Sequence, residues 1–431
     1  MQQQSLFDRI IEANLKGQRS DINRVLQSTP MFDAVAEEIR GRKIRFGKKW
    51  IADFASCNYL GFDLQNEIIE SVEPALRKWG VHPSWCRLVA SPSLYTKAEE
   101  TLAKLVGTET TLILPTVTLI HVGVIPALLG KDGVLFLDKA AHMTMYEAAK
   151  MARDSGCKLY SFKHQDYDTL EAGLKEHQSN PKKVILLDGA YSMTGNYVDV
   201  PKLTALARKY DALLYIDDAH GFGVVGENPD ADNPYGHKGN GVVKFFGGNY
   251  DNILYVAGLS KAYSSLAAFV ACSHKMKAFL KAYATPYDLS GPCPTASLQS
   301  VIAGLAVNEA RGDAMRKELH RLTKRVLDGL RDRGFYIDND TGFPIVSVWI
   351  GETEHLIEAS RMLWDDGILV TLAPYPMVRK GDEALRLTVT ASNTDDEVDT
   401  LLKAFDRIKS YLESKGAPLR PELAAVTTGK A

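Results

Sequence analysis

The chain has 431 residues, 45% hydrophobic and 24% charged, the balance of a globular enzyme too long for one simple core. A formal net charge of −2 offers no basic surplus for nucleic acid. Five scattered cysteines with no C-x-x-C pair argue against a disulfide framework and a structural zinc site.

The opening MQQQSLFDRIIEANLKGQRSD is polar and amphipathic, without the basic start and apolar stretch of a signal peptide, so a cytoplasmic protein is expected. Residues 1–60 read as an N-terminal helical arm and a hairpin around RFGKKWIADFAS. The most apolar stretch, 111–130, contains His121 and Pro126 and falls short of a membrane span; it reads as buried core. From 112 to 271 short apolar runs alternate with helical periodicity. The runs are LILP at 112–115, VLFLD ending at Asp138, VILLD at Asp188, ALLYID at Asp217, ILYVAG at Gly258 and AAFVAC at Cys272. YEAAKMARDSG, TLEAGLKEHQ and PKLTALARKYD lie between them with apolar residues at helical spacing. This alternation predicts an α/β fold with a largely parallel sheet covered on both faces, residues 61–296 forming the large domain. Ligands of such sheets sit beyond the carboxyl ends of strands, where Asp138, Asp188 and Asp217 end their runs and Lys261 follows one. Residues 297–415 predict a smaller C-terminal α/β domain. It comprises a long helix through AVNEARGDAMRKELHRLTKRVLDGLRDRG, strands at PIVSVWIG and ALRLTVTA, and a last helix at DDEVDTLLKAFDRIKSYLES. The tail, 416–431, is expected to be loosely ordered.

Two segments carry the chemistry. LLYIDDAHGFGVVG delivers Asp217 and Asp218 at a strand end with His220 just beyond, and LYVAGLSKAYSS places Lys261 after the next strand. These residue types suit pyridoxal 5'-phosphate (PLP). A lysine forms the Schiff base, and a buried carboxylate keeps the pyridinium nitrogen protonated so that the ring accepts electrons from a substrate carbanion. The DDAH run alone also suits a metal, but no histidine-rich or carboxylate-rich partner segment accompanies it, and no metal is expected.

In order and spacing, the motifs resemble the α-oxoamine synthase family of fold-type I PLP enzymes over roughly residues 50 to 410. The resemblance rests on DFASCNYLGF, RLVASPSLYTKAEETLAKLVG, AAHMTMYEAA, DGAYSMTGNYVDVPKL, IDDAHGFGVVG, GLSKAYSS, FPIVSVWIG and LRLTVTASNTDDEV. It implies a large domain with a mostly parallel seven-stranded sheet, a smaller C-terminal α/β domain, and a homodimer with its active site at the interface. It implies Lys261 as the Schiff-base lysine, Asp217 as partner of the ring nitrogen, and His220 and Ser192 as contacts to the phenolic oxygen. His142 matches the imidazole that stacks on the pyridine ring, and Asn58 and Arg386 match positions that hold the substrate carboxylate.

The phosphate-binding stretch departs from the family pattern. The usual Ser-Gly-aromatic run reads PTVTLIH, with Val117 in the glycine position, and the threonine three residues before the lysine is Gly258. The expected phosphate ligands are therefore the hydroxyls of Thr116 and Thr118, the amides of Val117 and Thr118 at a helix start, Ser260, and Ser290 from the second subunit. The glycine pair after the lysine reads Ala267-Ala268, and a glycine-rich GSGGSR segment reads HPSWCR, with bulk at Ser84 and Trp85. The usual alanine-alanine-histidine near the C-terminus reads Ala391-Ser392-Asn393. The implied activity is a decarboxylative Claisen condensation of an amino acid with an acyl thioester, giving an aminoketone. An aminotransferase or retro-aldol lyase on the same fold would share these residues. So would a non-catalytic subunit, although retention of Lys261 and Asp217 argues against that.

Overall fold

The computed structural model describes residues 5–15 and 20–421, so most of the tail expected to be loose, from 422 onward, lies outside the described residues. The chain divides into one unit of Cys57–His320 and another of Met1–Ser56 with Arg321–Ala431.

The unit Cys57–His320 is built on seven strands: β1 (Thr110–Leu114), β2 (Val134–Asp138), β3 (Lys158–Phe162), β4 (Lys183–Asp188), β5 (Leu213–Asp217), β6 (Ile253–Gly258) and β7 (Ala268–Cys272). They lie in the order β1-β7-β6-β5-β4-β2-β3. Strands β2 to β6 pair in parallel, and β7 alone is antiparallel, to β6 on one side and β1 on the other. Six strands therefore point one way, and their carboxyl ends share one edge. The predicted apolar runs are the strands buried along almost their whole length. β3 escaped that reading because it is the edge strand; its sequence KLYSF is exposed at three of five positions and never forms a continuous apolar run.

Helix α1 (Val117–Leu129) follows β1, and α2 (Met143–Asp154) follows β2; the two pack together on the sheet. Ile120, Val124, Met145 and Ala148 join Leu135, Leu186 and Tyr215 in one apolar cluster. At about 1.5–3 kcal/mol for each large apolar side chain fully buried, this layer holds the amino end of both helices at the carboxyl edge of the sheet.

In the other unit the hairpin Lys43–Phe46 and Lys49–Asp53 turns through Gly47, whose φ of +57° is open to glycine. Ile345–Gly351, Glu383–Thr388 and Thr371–Ala373 form an antiparallel sheet. The helix Asp395–Ser414 starts with a capping box of Thr394 and Glu397. Among the described residues no helix is long and apolar enough to cross a membrane.

Candidate active site

The carboxyl edge of the sheet opens on a cavity of about 250 Å³. Thr116, Val117 and Thr118 enter it after β1, and His142 and Thr144 at the start of α2. Asp188 and Asp217 come from the ends of β4 and β5, His220 from just beyond, and Ser260 and Lys261 from the turn after β6.

Asp188 and Asp217 are direct cross-strand partners, so two carboxyls share one buried corner. Burial, then the neighbouring charge of Asp217, raises the Asp188 pKa well above its ordinary value. Its Oδ1 accepts the His142 amide at 3.2 Å. Asp217 Oδ1 accepts the Ala219 amide at 3.0 Å, while Oδ2 lies 3.4 Å from Nε2 of His121.

The adjacent Asp218 faces elsewhere. Its Oδ2 accepts the Val242 amide at 2.8 Å and the Tyr255 hydroxyl at 2.7 Å. Side-chain carbons added at Gly189, Gly221 or Gly241 would fall 2.6, 2.1 and 2.7 Å from its oxygens, so three loops close on this carboxyl. Burial pushes it up to about 7. Asp138 is likewise engaged, accepting from the Tyr191 hydroxyl at 2.7 Å and lying 3.0 Å from His164 Nδ1. Of the acids noted at strand ends, Asp188 and Asp217 line the cavity.

His142 caps α2 and accepts the Thr144 amide on Nδ1 at 3.3 Å. That contact makes Nδ1 an acceptor, so the neutral ring carries its proton on Nε2. Burial lowers the His142 pKa, Asp217 opposing and Lys261 reinforcing. His220 is steered by Tyr59, whose hydroxyl lies 2.7 Å from Nδ1.

Thr116 is the N-cap of α1, and its hydroxyl oxygen accepts the Leu119 amide at 3.1 Å. The cap leaves the amides of Val117 and Thr118 without intrahelical partners at the cavity rim, a ready anion seat. The two departures in this region are packed together. A side-chain carbon added at Gly258 would sit 3.0 Å from Val117 Cγ2 and 3.2 Å from Ala219 Cβ. The valine that replaces the family's glycine thus fills the space beside the glycine that replaces its threonine. At the HPSWCR departure Ser84 keeps a glycine-like backbone, with φ of +60°, and its amide donates to His82 Nδ1 at 3.1 Å.

Four expected residues do not line this cavity. Asn58 donates to Asp63 Oδ2 at 3.0 Å and accepts at 3.0 Å from Ser264, three residues beyond Lys261. Ser192 lies two residues past Ala190, which does line it. Ser290 follows the short helix Pro286–Leu289 and donates to the Gly291 carbonyl at 3.0 Å. Arg386 belongs to the other unit, buried on the strand Glu383–Thr388, and donates to the Thr388 hydroxyl at 3.3 Å.

His121 and Thr144 were not among the expected site residues. His121 is fully buried one turn into α1, and among the described residues nothing hydrogen-bonds its Nε2, which faces Asp217. Leaving that nitrogen unmatched costs about 1–3 kcal/mol, which favours closing the 3.4 Å gap. A polar ring inside an otherwise apolar helix must find a buried partner, and this was the available signal.

A primary amine, a buried carboxylate on a neighbouring strand, two imidazoles and a capped helix N-terminus flanked by hydroxyls match the aldehyde, pyridine nitrogen, phenolic oxygen and phosphate of PLP. Together with the mostly parallel seven-stranded sheet, they define a fold-type I PLP-dependent transferase. The profile of the family described as aminotransferase class I and II matches residues 51–405. An 8-amino-7-oxononanoate synthase from Thermosipho melanesiensis is 30% identical over 370 residues, covering 85% of this chain and 90% of that protein. Among solved structures, a serine palmitoyltransferase from S. paucimobilis, with PLP and myriocin bound, aligns with a TM-score of 0.85 at 22% identity, covering 95% of this chain and 100% of the other. An 8-amino-7-oxononanoate synthase from Francisella tularensis aligns with a TM-score of 0.70 at 19% identity, covering 85% and 99%. The chain belongs to the aminotransferase class I and II family and, within it, to the PLP-dependent α-oxoamine synthases.

Proposed function

We propose that this chain is a cytoplasmic, homodimeric acyltransferase. It condenses an amino acid with an acyl thioester, on coenzyme A or a carrier protein, and releases carbon dioxide and an aminoketone. The meeting of Lys261, Asp217 and His142 in one cavity carries the reading. The relatives named 8-amino-7-oxononanoate synthase favour condensation over amino transfer or retro-aldol cleavage.

PLP, when bound, supplies an electron-accepting ring that stabilises the carbanion left at the amino acid's α-carbon. Lys261 is its attachment point, and the same amine moves the α-proton. Asp217, oriented by the Ala219 amide, holds the proton on the ring nitrogen. His142 would lie against the ring, and its Nε2–H would orient the substrate carboxylate and donate to the acyl carbonyl oxygen as negative charge develops there. His220, steered by Tyr59, and Ser192 serve the phenolic oxygen. Asn58 takes the substrate carboxylate. The amides of Val117 and Thr118, the hydroxyls of Thr116, Thr118 and Ser260, and Ser290 from a second copy hold the phosphate.

Exposed apolar residues support the dimer. Val81, Trp85, Leu88 and Val89 stand out to solvent in one segment and Leu289 in another. The two segments are tied by His82 Nε2 at 3.1 Å from the Pro292 carbonyl.

The test is a panel of amino acids and acyl thioesters assayed for carbon dioxide and aminoketone. Both should form with at least one pair, and borohydride reduction should leave the pyridoxyl group on the peptide containing Lys261. Formation of a keto acid without carbon dioxide would replace this reading with amino transfer.

A further inference from the structure

His121 lies outside the roles described so far, yet it joins two of the residues that carry them. Its Nε2 faces Asp217 Oδ2 at 3.4 Å, and its Nδ1 lies 3.1 Å from the Thr144 hydroxyl. The same hydroxyl lies 2.8 Å from Nδ1 of His142. The ring is fixed edge-on to Tyr215, 5.7 Å between centroids, and cannot turn away from the pair without displacing core. Thr144 has one hydroxyl proton for two imidazoles. The carboxylate of Asp217 only accepts, so the proton of the neutral His121 ring belongs on Nε2, and its Nδ1 accepts the Thr144 hydroxyl, whose single proton it shares with His142 Nδ1. Burial, the largest cause, drives the His121 pKa down to about 4 and keeps the ring neutral at working pH.

We propose that His121 is a positioning residue: a neutral imidazole, held at Nδ1 by the Thr144 hydroxyl, that donates Nε2–H to Asp217 Oδ2 and so holds the carboxylate toward the ring nitrogen of PLP. Asp217 is then gripped at both oxygens, by the Ala219 amide and by His121, without a second charge that would compete for it. The inference rests on the reading of Asp217 as the partner of the ring nitrogen.

The test compares the affinities of the protein for PLP and for 1-deaza-PLP, which lacks that nitrogen, in wild type and in His121→Phe, His121→Gln and Thr144→Val. Wild type should prefer PLP. His121→Phe should shrink the preference about tenfold, the weight of one charge-assisted hydrogen bond. His121→Gln, whose amide donates to the same oxygen, should restore most of it, and Thr144→Val should lower it in the same direction. A merely structural role would weaken both ligands equally, leave the ratio unchanged and overturn the inference. If His121→Phe does not fold, an unchanged ratio in Thr144→Val, or a ratio in His121→Gln no better than in Thr144→Val, overturns it as well. A wild-type ratio near one would instead remove the Asp217 reading, and this inference with it.

Discussion

Val117 and Gly258 should behave as one packing unit. A side-chain carbon added by Gly258→Ala falls 3.0 Å from Val117 Cγ2 and 3.2 Å from Ala219 Cβ. Overpacking of that kind costs about 1–3 kcal/mol, and replacing a strand glycine by alanine returns about 0.5–1 kcal/mol, so the single variant should lose about 1 kcal/mol. Val117→Ala removes two methyl groups from a half-buried side chain, worth about 1 kcal/mol at roughly 0.8 kcal/mol per fully buried carbon. Independent sites would make the double variant about 2 kcal/mol less stable. Removing Cγ2 relieves the closer of the two contacts, so the double variant should instead lose about 1 kcal/mol, a coupling of about 1 kcal/mol; Ala219 keeps it from being larger. Urea denaturation of cofactor-stripped protein reads this directly, because changes in PLP affinity then do not enter the stability. Losses that add to within about 0.3–0.5 kcal/mol would refute the compensation.

Two further predictions address the cofactor, and a third the buried imidazole. Asp217→Asn should slow deuterium exchange at the substrate α-carbon by at least about tenfold, since a charge-assisted pair is worth about 1.5–3 kcal/mol; an unchanged exchange rate would remove the assignment. Thr118→Val should weaken PLP affinity by about tenfold with turnover at saturating PLP near normal. Equal affinity in a titration would mean that the phosphate sits elsewhere. Acid stability should also report His121. Its folded pKa of about 4 lies below the ordinary 6.5, so the unfolded chain binds more protons between those values and stability falls as pH drops through that window. With Asp217, His142 and Lys261 facing the ring in both proteins, wild type should lose roughly 3 kcal/mol more than His121→Phe from pH 6.5 to 4. Parallel stability profiles would show that the imidazole is not buried neutral.

The strands that read plainly in the sequence are those buried along almost their whole length, because a buried strand must be apolar throughout. β3, at the sheet edge, has one buried residue in five and left no such trace. Lys261, Asp217, His142 and His220 were legible because each follows or ends a strand or starts a helix, where motif and geometry coincide. His121 was not, since its meaning depends on partners from β5 and from α2 that only the packing of α1 supplies. The departures at 117 and 258 read as two separate losses. They touch because Val117 follows β1, Gly258 ends β6, and only β7 lies between those strands.

The choice between Asp217 and Asp218 shows how strand geometry assigns chemistry. Consecutive residues of an extended chain point to opposite sides, so of two adjacent acids only one can face the cavity. Asp218 takes the side where Gly189, Gly221 and Gly241 leave room for a carboxyl but none for a side-chain carbon of their own. It spends Oδ2 on a backbone amide and a tyrosine hydroxyl, and its raised pKa of about 7 follows from that enclosure. Asp217 takes the other side, beside Asp188, whose pKa burial raises, and His121, whose pKa burial lowers. In the reading proposed above, the cation that Asp217 meets in the cavity is the protonated ring nitrogen of PLP. The surroundings, more than the motif, separate the acid that faces the cavity from the one that does not.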